Sequence, residues 1–442
     1  MRVVQGKGGV LAGVLERPRA YALVLRSPEH NLLRNSLFIM LNTFLGSGFG
    51  LVIWVAAARL YAPDQLGLGA AYISTIAFLA GLAELGLGTA IIRFGPGLRE
   101  GRNVFLNSAL ALVALAMLLA TAVFALGTPL WSPRMGALTH SRFTLAVFIA
   151  AGVMTALDQL FDKIYIAFES AHFLVLTNLL TNALRLAATI ALSFFLGATG
   201  FVLALCVGVA AALVLSGWRL APRTVAGFAL QPALSVAAVR SRLGYTIGNH
   251  LGALATLLPA FCYPLLIVNL IGAAANATFY PIWMIANLLF VIPLSVATSA
   301  FARASNSEAT AGDALAGAMK RLLLVLVVPA AGLVAVSPLA FRVLGLRGTR
   351  AEFLLLAWLV LSVFPYAVNT VAITFFRVTL NTRAVIVVSG VASVACLAFS
   401  LAGALRLGLT GIALGWLLGQ LAGAAVAALL VSVRRRAAPA AA

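Results

Sequence analysis

The chain has 442 residues, of which 63% are hydrophobic and 9% are charged, and its formal net charge is +19. Soluble domains contain about 25% charged residues, so this composition excludes an ordinary soluble protein and indicates an integral membrane protein. The surplus of Lys and Arg then predicts cytoplasmic loops that face anionic lipid, and no nucleic-acid partner. Cys206, Cys262 and Cys396 all lie in apolar runs. Their spacing fits neither a metal site nor a disulfide framework, so no metal or cofactor is expected.

Apolar stretches long enough to cross a bilayer, about 20 residues each, follow one another along most of the chain. Residues 1–35, which mix charges with short apolar runs, are interpreted as a cytoplasmic N-terminal arm. The stretches predict an all-α membrane protein with twelve transmembrane helices, at 36–59, 66–92, 104–131, 143–169, 172–196, 199–218, 244–272, 275–302, 321–346, 351–376, 384–404 and 409–433.

The distribution of positive charge orients these spans. With the N-terminus inside, the cytoplasmic segments hold 21 of the 30 Lys and Arg residues and the outer segments hold seven. Cytoplasmic loops are the ones enriched in Lys and Arg. We therefore expect a multi-pass protein of the cell membrane (inner or plasma) with both termini in the cytoplasm, and with a short tail at 434–442.

The two halves of the sequence resemble each other at a shift of about 210 residues. LGATG at 196–200 recurs as LGLTG at 407–411, and TPL at 128–130 recurs as SPL at 337–339. Six spans per half give both halves the same orientation. The repeat therefore predicts two six-helix lobes related by a pseudo-twofold axis along the membrane normal, with a cavity between them. The lobes would be 36–221 and 244–433, joined by a cytoplasmic linker at 222–243. The alternative is chance similarity among Gly/Ala-rich helices.

Longer segments carry a family resemblance. Four segments are similar to Wzx-type polysaccharide biosynthesis proteins. They are ARLYAPDQLG between the first two spans, ELGLGTAIIRF at the end of the second, Pro264–Phe301, and the closing LGLTGIALGWLLG. Wzx-type proteins are lipid-linked oligosaccharide flippases of the multidrug/oligosaccharidyl-lipid/polysaccharide exporter superfamily. The resemblance implies two six-helix lobes that rock to expose a central cavity to each leaflet in turn, and an undecaprenyl-pyrophosphate-linked glycan as cargo.

Charged residues inside the spans mark the candidate site, because each costs about 2.5–3.5 kcal/mol at a helix centre. Asp158 in the fourth span and Arg185 in the fifth lie roughly 18 and 22 Å from the turn between them, at 1.5 Å per residue. We expect both to face the protein interior. They would form either a structural buried pair or part of the cavity wall.

Further polar residues on the same two helices extend this site. Our hypothesis is that Arg185, with Lys163 nearby, attracts the anionic pyrophosphate of the cargo, while Asn178 and Asn182 contact sugar hydroxyls. Interfacial anchoring is the alternative for Lys163, because a lysine near a helix end can extend its amine to the headgroups. The tenth span adds a neutral stripe of candidate substrate-binding residues, which includes Tyr366 and Asn369.

Three acids are candidates for binding a coupling ion. Asp158 and Asp162 share one face of the fourth span, because residues four apart are neighbours on a helix. For Asp162 the alternative is again interfacial anchoring. Glu84, late in the second span, can bind a proton or a cation, or can instead pair with Arg93 or Arg99 at the cytoplasmic end.

Helix-bending residues in two spans suggest a lateral gate. Pro259 and Pro264 each remove a hydrogen bond within the seventh span. The first span carries Gly46, Gly48 and Gly50. Bent helices that face each other across the lobes would open sideways for a lipid-tailed cargo, whereas close packing of small residues is the alternative.

With the family resemblance, which implies the cargo, these observations predict a flippase that moves a polyprenyl-pyrophosphate-linked oligosaccharide from the cytoplasmic to the outer leaflet for cell-surface polysaccharide biosynthesis by alternating access. Its partners would be the glycan substrate, membrane lipids, and glycosyltransferases or a polymerase of the same pathway. The alternative is a cation-coupled small-molecule or multidrug exporter of the same superfamily, which usually carries an acid in the first span; residues 36–58 contain none. An enzyme is not expected, because no catalytic grouping, metal spacing or phosphate-binding loop stands out.

Overall fold

The computed structural model describes the backbone of residues 28–304, 311–379 and 381–437, with most of their side chains. The described chain is helical throughout and contains no strand. Most of the predicted N-terminal arm and the end of the predicted tail lie outside the described residues. The helices are α1 Pro28–Leu60, α2 Pro63–Ala83, α3 Leu87–Phe94, α4 Arg102–Trp131, α5 Arg142–Ala167, α6 Ala171–Leu192, α7 Gly197–Leu215, α8 Val236–Leu270, α9 Ala273–Ala304, α10 Ala311–Val343, α11 Arg350–Leu361, α12 Val363–Val378, α13 Thr382–Leu407 and α14 Leu409–Ala437. Short helical turns at 133–140 and 216–224 connect some of them.

Eleven segments of the described chain are long and apolar enough to cross a membrane. They correspond to eleven of the twelve predicted spans, which confirms the all-helical membrane fold. The seventh predicted span falls in α8, where only Leu258–Leu270 qualifies as a shorter apolar helix among the described residues. The helix α8 begins at Val236, within the residues predicted as the linker.

Two predicted spans are interrupted. The second is not one helix: α2 ends at Ala83, and α3 starts after Leu85 and Gly86, which have φ angles of 52° and 77°. This left-handed conformation is easy for glycine and costly for leucine. The tenth span is divided at Ser362 into α11 and α12. Interrupted helices are tolerated at membrane depth where protein surrounds the break.

The two sequence repeats share one backbone feature. Gly197 and Gly408, the second residues of LGATG and LGLTG, both have positive φ angles, 50° and 60°; Gly197 is the first residue of α7, and Gly408 directly precedes α14. Pro129 and Pro338 both lie inside helices, α4 and α10. These two pairs of positions therefore correspond in the first half, α1–α7, and in the second half, α8–α14.

A stripe of glycines holds the last two helices together. Gly411, Gly415, Gly419 and Gly423 are spaced by four residues and so form one face of α14. Each lies so close to α13 or to a neighbouring side chain that a Cβ would meet an atom within 3.0 Å. Small residues allow membrane helices to approach closely and to pack by van der Waals contact, because lipid supplies no hydrophobic drive between helices.

The turn after α5 places Glu169 in a backbone conformation that suits glycine better. The hydrogen bonds Ser170 N–H to Tyr165 O, 2.8 Å, and Glu169 N–H to Ile166 O, 3.3 Å, form a Schellman motif at the end of α5. Its left-handed position is held by Glu169, at φ 54°. At the end of α10 the same position is held by Gly345.

Replacing Glu169 with glycine is therefore expected to stabilise the protein by about 0.5–1 kcal/mol, because relief of the left-handed strain exceeds the added flexibility of the unfolded chain. Thermal unfolding in detergent would measure it. Glu169→Gln is the matched control, since it removes the charge and keeps the strain. Equal melting temperatures for the two variants would contradict the prediction.

Candidate functional site

A cavity of about 100 Å³ lies between the two halves. Its walls come from α1, α2, α6 and α7 of the first half and from α9 of the second half. The lining residues are Gly50, Ile53, Trp54, Ala70, Ile73, Arg185, Phe201, Tyr280 and Met284. Arg185 is the charged residue in this set, so an otherwise apolar and aromatic cavity contains one cation.

Close helix packing positions Arg185. A Cβ on Gly208 of α7 would lie 2.3 Å from the carbonyl oxygen of Thr181 and 3.3 Å from the Cβ of Arg185, so only glycine lets α7 approach α6 here. The guanidinium then lies over the ring of Phe201, 5.6 Å from its centroid. This is within the range of a cation–π interaction, which is stronger when water is excluded.

The guanidinium of Arg185 has no anionic partner in the described part of the chain. Its Nε is buried without a hydrogen-bond partner, and no ion pair joins it to Asp158 among those residues. A buried cation is stable only when charges or hydrogen bonds compensate for lost hydration. One aromatic face compensates in part. The cavity thus offers an unpaired positive charge to an anion.

Aromatic rings form the wall around this charge. Trp54 and Tyr280, from opposite halves, lie with ring centroids 4.9 Å apart, and Trp54 meets Phe201 edge-on at 6.4 Å. Trp54 is only 2% exposed, and its indole nitrogen has no hydrogen-bond partner among the described residues. Tyr61, outside the spans, also packs on Phe201 and donates its hydroxyl to Thr189 O at 3.0 Å; burial raises the pKa of Tyr61 to about 12. These aromatic residues are not recognisable as site residues from the sequence, because a ring within an apolar span gives no distinct signal.

The acids of α5 form a separate cluster, away from the cavity lining. Asp158 and Asp162 are one turn apart on α5, and Lys163 and the side chain of Asn178 lie near the Asp162 carboxylate. The Oδ1 atom of Asp162 is buried and has no hydrogen-bond partner within residues 28–437 as far as these are described. Two adjacent carboxylates, one of them with an unpartnered oxygen, can accept a proton or a cation.

Glu84 and Lys163 meet at the break between α2 and α3. A Cβ on Gly88 would lie 2.1 Å from Glu84 Oε1 and 2.8 Å from Lys163 Cγ, so both side chains pack against this glycine. Glu84, the third candidate acid, is therefore close to Lys163, which also lies near the Asp162 carboxylate. The structure brings Glu84, Asp162 and Lys163 into one region, which their separation in sequence does not reveal.

The remaining polar candidates are occupied to different degrees. The amides of Asn178 and Asn182 donate to their own helix, to Leu174 O at 3.0 Å and to Asn178 O at 2.8 Å. Asn369 is 4% exposed and donates to the Gln420 carbonyl and side-chain oxygens, both at 2.9 Å. Tyr366 is half-buried, with its ring 4.9 Å from Phe290. These residues do not line the Arg185 cavity.

The predicted gating residues also lie in different surroundings. Gly50 lines the cavity, and a Cβ added to it would lie 3.3 Å from Met284 Cε. A Cβ added to Gly46 would have no described atom within 4 Å. The described helix α8 continues through Pro259 and Pro264. A free face on α1 is compatible with a lateral opening.

The fold agrees with known transporters, although no family profile and no curated protein matches the sequence. The lipid II flippase MurJ in an inward closed conformation gives a TM-score of 0.73 at 15% identity, over 90% of this chain and 87% of that one. An inward-facing multidrug resistance MATE family transporter of the MOP superfamily gives 0.68 at 15% identity, over 89% and 95%. A MOP superfamily transporter from Pyrococcus furiosus gives 0.65 at 16% identity, over 93% and 97%.

The chain has the two-lobed helical fold of MOP transporters. This confirms the predicted twelve-helix, two-lobe architecture and a multi-pass membrane protein. The MOP fold serves cargoes as different as lipid II and drugs in the structures just named. Fold alone therefore does not choose between the flippase and the exporter, and that choice depends on the chemistry of the cavity.

Proposed function

We propose that the protein is a flippase that moves a polyprenyl-pyrophosphate-linked oligosaccharide from the cytoplasmic to the outer leaflet by alternating access, for cell-surface polysaccharide biosynthesis. The observation that carries this proposal is the guanidinium of Arg185, which no described residue pairs, in the cavity between the halves. A diphosphate supplies the missing countercharge and matches the planar set of N–H donors of arginine. A cationic cargo would be repelled at the same place.

Within this proposal the remaining polar residues have secondary roles. Lys163 attracts the diphosphate as it approaches, and Asn178, Asn182, Tyr366 and Asn369 contact sugar hydroxyls once the halves separate. The units are the lobes 36–221 and 244–433 with the linker 222–243, and both termini are cytoplasmic. Enzymes that build or polymerise the glycan would be partners of the same pathway.

Ion coupling is assigned to the α5 acids. Asp158 and Asp162, with Glu84 nearby, would bind a proton or cation in one state of the cycle and release it in the other. The unpartnered Oδ1 of Asp162 supports this assignment, because a buried carboxylate oxygen gains most from a bound proton or ion. The same cluster would equally serve the second candidate function, a cation-coupled exporter of small molecules, which the fold also fits.

Reconstitution into liposomes tests the two candidates against each other. A fluorescently tagged, short-chain polyprenyl-pyrophosphate saccharide is added to the membrane, and its exposure on each leaflet is followed by quenching with dithionite. We expect the protein to accelerate leaflet exchange of this lipid but not the efflux of a cationic dye. Dye efflux without lipid exchange would establish the exporter instead.

A further inference from the structure

The end of the bundle opposite Pro28 and Ala437, here called the distal end, holds a polar contact between the two halves. It joins the first turn of α2 to the first turn of α9. The side-chain amide of Asn276 donates to Gly67 O at 2.7 Å, and the backbone N–H of Ala274 donates to Asp64 Oδ1 at 3.1 Å. A Cβ on Gly67 would lie only 1.7 Å from Ala273 O, so the two backbones are in direct contact.

These partners are separated by 209 and 210 residues, which is the shift between the two sequence repeats. Each helix start therefore meets its own counterpart, as happens at a twofold axis. In the proposed cycle, in which the two halves tilt, a contact at this axis would be made in one state and broken in the other. It would then close the cavity toward the distal side.

Two further hydrogen bonds at the distal end join the halves. Asn269 of α8 donates its amide to Ser132 Oγ at 2.8 Å, and Arg134 donates from Nη1 to Val268 O at 3.0 Å. Toward the other end of α2 the described contacts with α8 include apolar ones. There the rings of Phe78 and Phe261 lie 6.1 Å apart, and Leu254 packs on Gly81.

Asn276 has the chemistry of a reversible contact. It is 0% exposed, and while its nitrogen is bonded to Gly67, its Oδ1 has no hydrogen-bond partner among the described residues. Closure therefore gains a hydrogen bond and leaves one buried acceptor without its water. The gained hydrogen bond and the unpartnered oxygen act in opposite directions, so the closed contact is not strongly favoured. Cargo or ion binding can therefore shift the equilibrium between the closed and open contact.

We propose that Asp64, Gly67, Ala273 and Asn276 form a distal latch, with the Asn276 amide as its central bond, that holds the transporter closed toward the side reached by the distal end. The assignment rests on the proposed transport cycle but not on the identity of the cargo. Separation of the four groups would then be a required step in opening the cavity distally.

Cysteine labelling tests the latch without any cargo. In a chain whose own three cysteines are replaced, Met284→Cys reports access to the cavity, and a membrane-impermeant maleimide is added from each side in turn. Asn276→Asp has the same shape, but its carboxylate, when ionised, is an acceptor only and cannot donate to Gly67 O. We expect it to accelerate distal labelling about 10-fold. Asn287→Asp is the matched control, because the Asn287 amide donates to Trp283 O of its own helix, at 2.9 Å.

A second measurement links the latch to transport. The pair Asp64→Cys and Ala274→Cys, joined by a short thiol-reactive cross-linker with a cleavable disulfide, should block distal labelling and transport until a reductant is added. Unchanged labelling in Asn276→Asp, or full transport by the cross-linked protein, would overturn the latch. A different result would count against the proposed function alone. In it, Asn276→Asp is labelled faster from the distal side, as expected, but the unsubstituted protein does not move the lipid-linked saccharide between leaflets.

Discussion

Replacing Arg185 with glutamine is expected to lower lipid-linked glycan transport about 100-fold or more. The substitution removes charge-assisted hydrogen bonds to the diphosphate worth about 3 kcal/mol, and each 1.36 kcal/mol corresponds to a tenfold change in rate. The residue sits in a preformed cavity between the halves, where no other lining residue is charged and able to replace it. The leaflet-exchange assay in liposomes would measure the effect.

The same variant separates a transport role from a structural one. Because Arg185 is half-buried, with a buried, unpartnered Nε and no counterion in the described chain, its neutral replacement should leave the melting temperature unchanged or raise it. Arg406→Gln, at an exposed position near the end of α13, is the matched control and should transport normally. Normal transport by Arg185→Gln, or a large fall in its stability, would contradict the binding role.

Replacing Gly419 with alanine is expected to destabilise the protein by about 1–3 kcal/mol, through overpacking between α13 and α14. The added Cβ would lie 2.3 Å from Cys396 N and 2.4 Å from Cys396 Cα and Sγ, where the α13 backbone cannot yield. The sign of the change in unfolding free energy is informative. Alanine is a better helix former than glycine by about 1 kcal/mol, so helix propensity alone would stabilise the variant.

Gly390 provides the matched control for that substitution. It lies in the same helix pair, in α13, where an added methyl group would have no described atom within 4 Å. Gly390→Ala should therefore follow helix propensity and be neutral or stabilising. Thermal unfolding of both variants in detergent measures the contrast. Equal effects at the two positions would show that close helix approach does not depend on Gly419.

The helices were predictable because the bilayer imposes a simple rule. Each crossing segment must be apolar over about 20 residues and must satisfy its backbone hydrogen bonds internally. The repeat was predictable from LGATG and LGLTG, whose glycines at 197 and 408 both have positive φ angles. The break after Ala83 was missed, since the left-handed residue beside Gly86 is Leu85, which local preferences disfavour there.

The candidate site was only partly predictable. Arg185 and the acids of α5 are recognisable as costly residues within apolar spans. Their grouping is not: Asp158 and Arg185, similar in depth and both described, form no ion pair, whereas Glu84 and Lys163, distant in sequence, meet at Gly88. Which face of each helix turns toward which neighbour decides this, and the spacing of residues along one helix does not specify it.

The sequence by itself determined three properties: that this chain is a membrane protein, how many helical spans to expect, and that its two halves form an internal repeat. The first two follow from the free energy of transferring each segment into lipid, which depends on that segment alone. The third follows from recurring residues such as LGATG and LGLTG. Only the tertiary structure decided that Trp54, Phe201 and Tyr280 surround Arg185 and that Gly67 meets Asn276. Lipid tails and neighbouring helices are both apolar, so hydrophobicity does not distinguish a surface that faces lipid from one that faces protein.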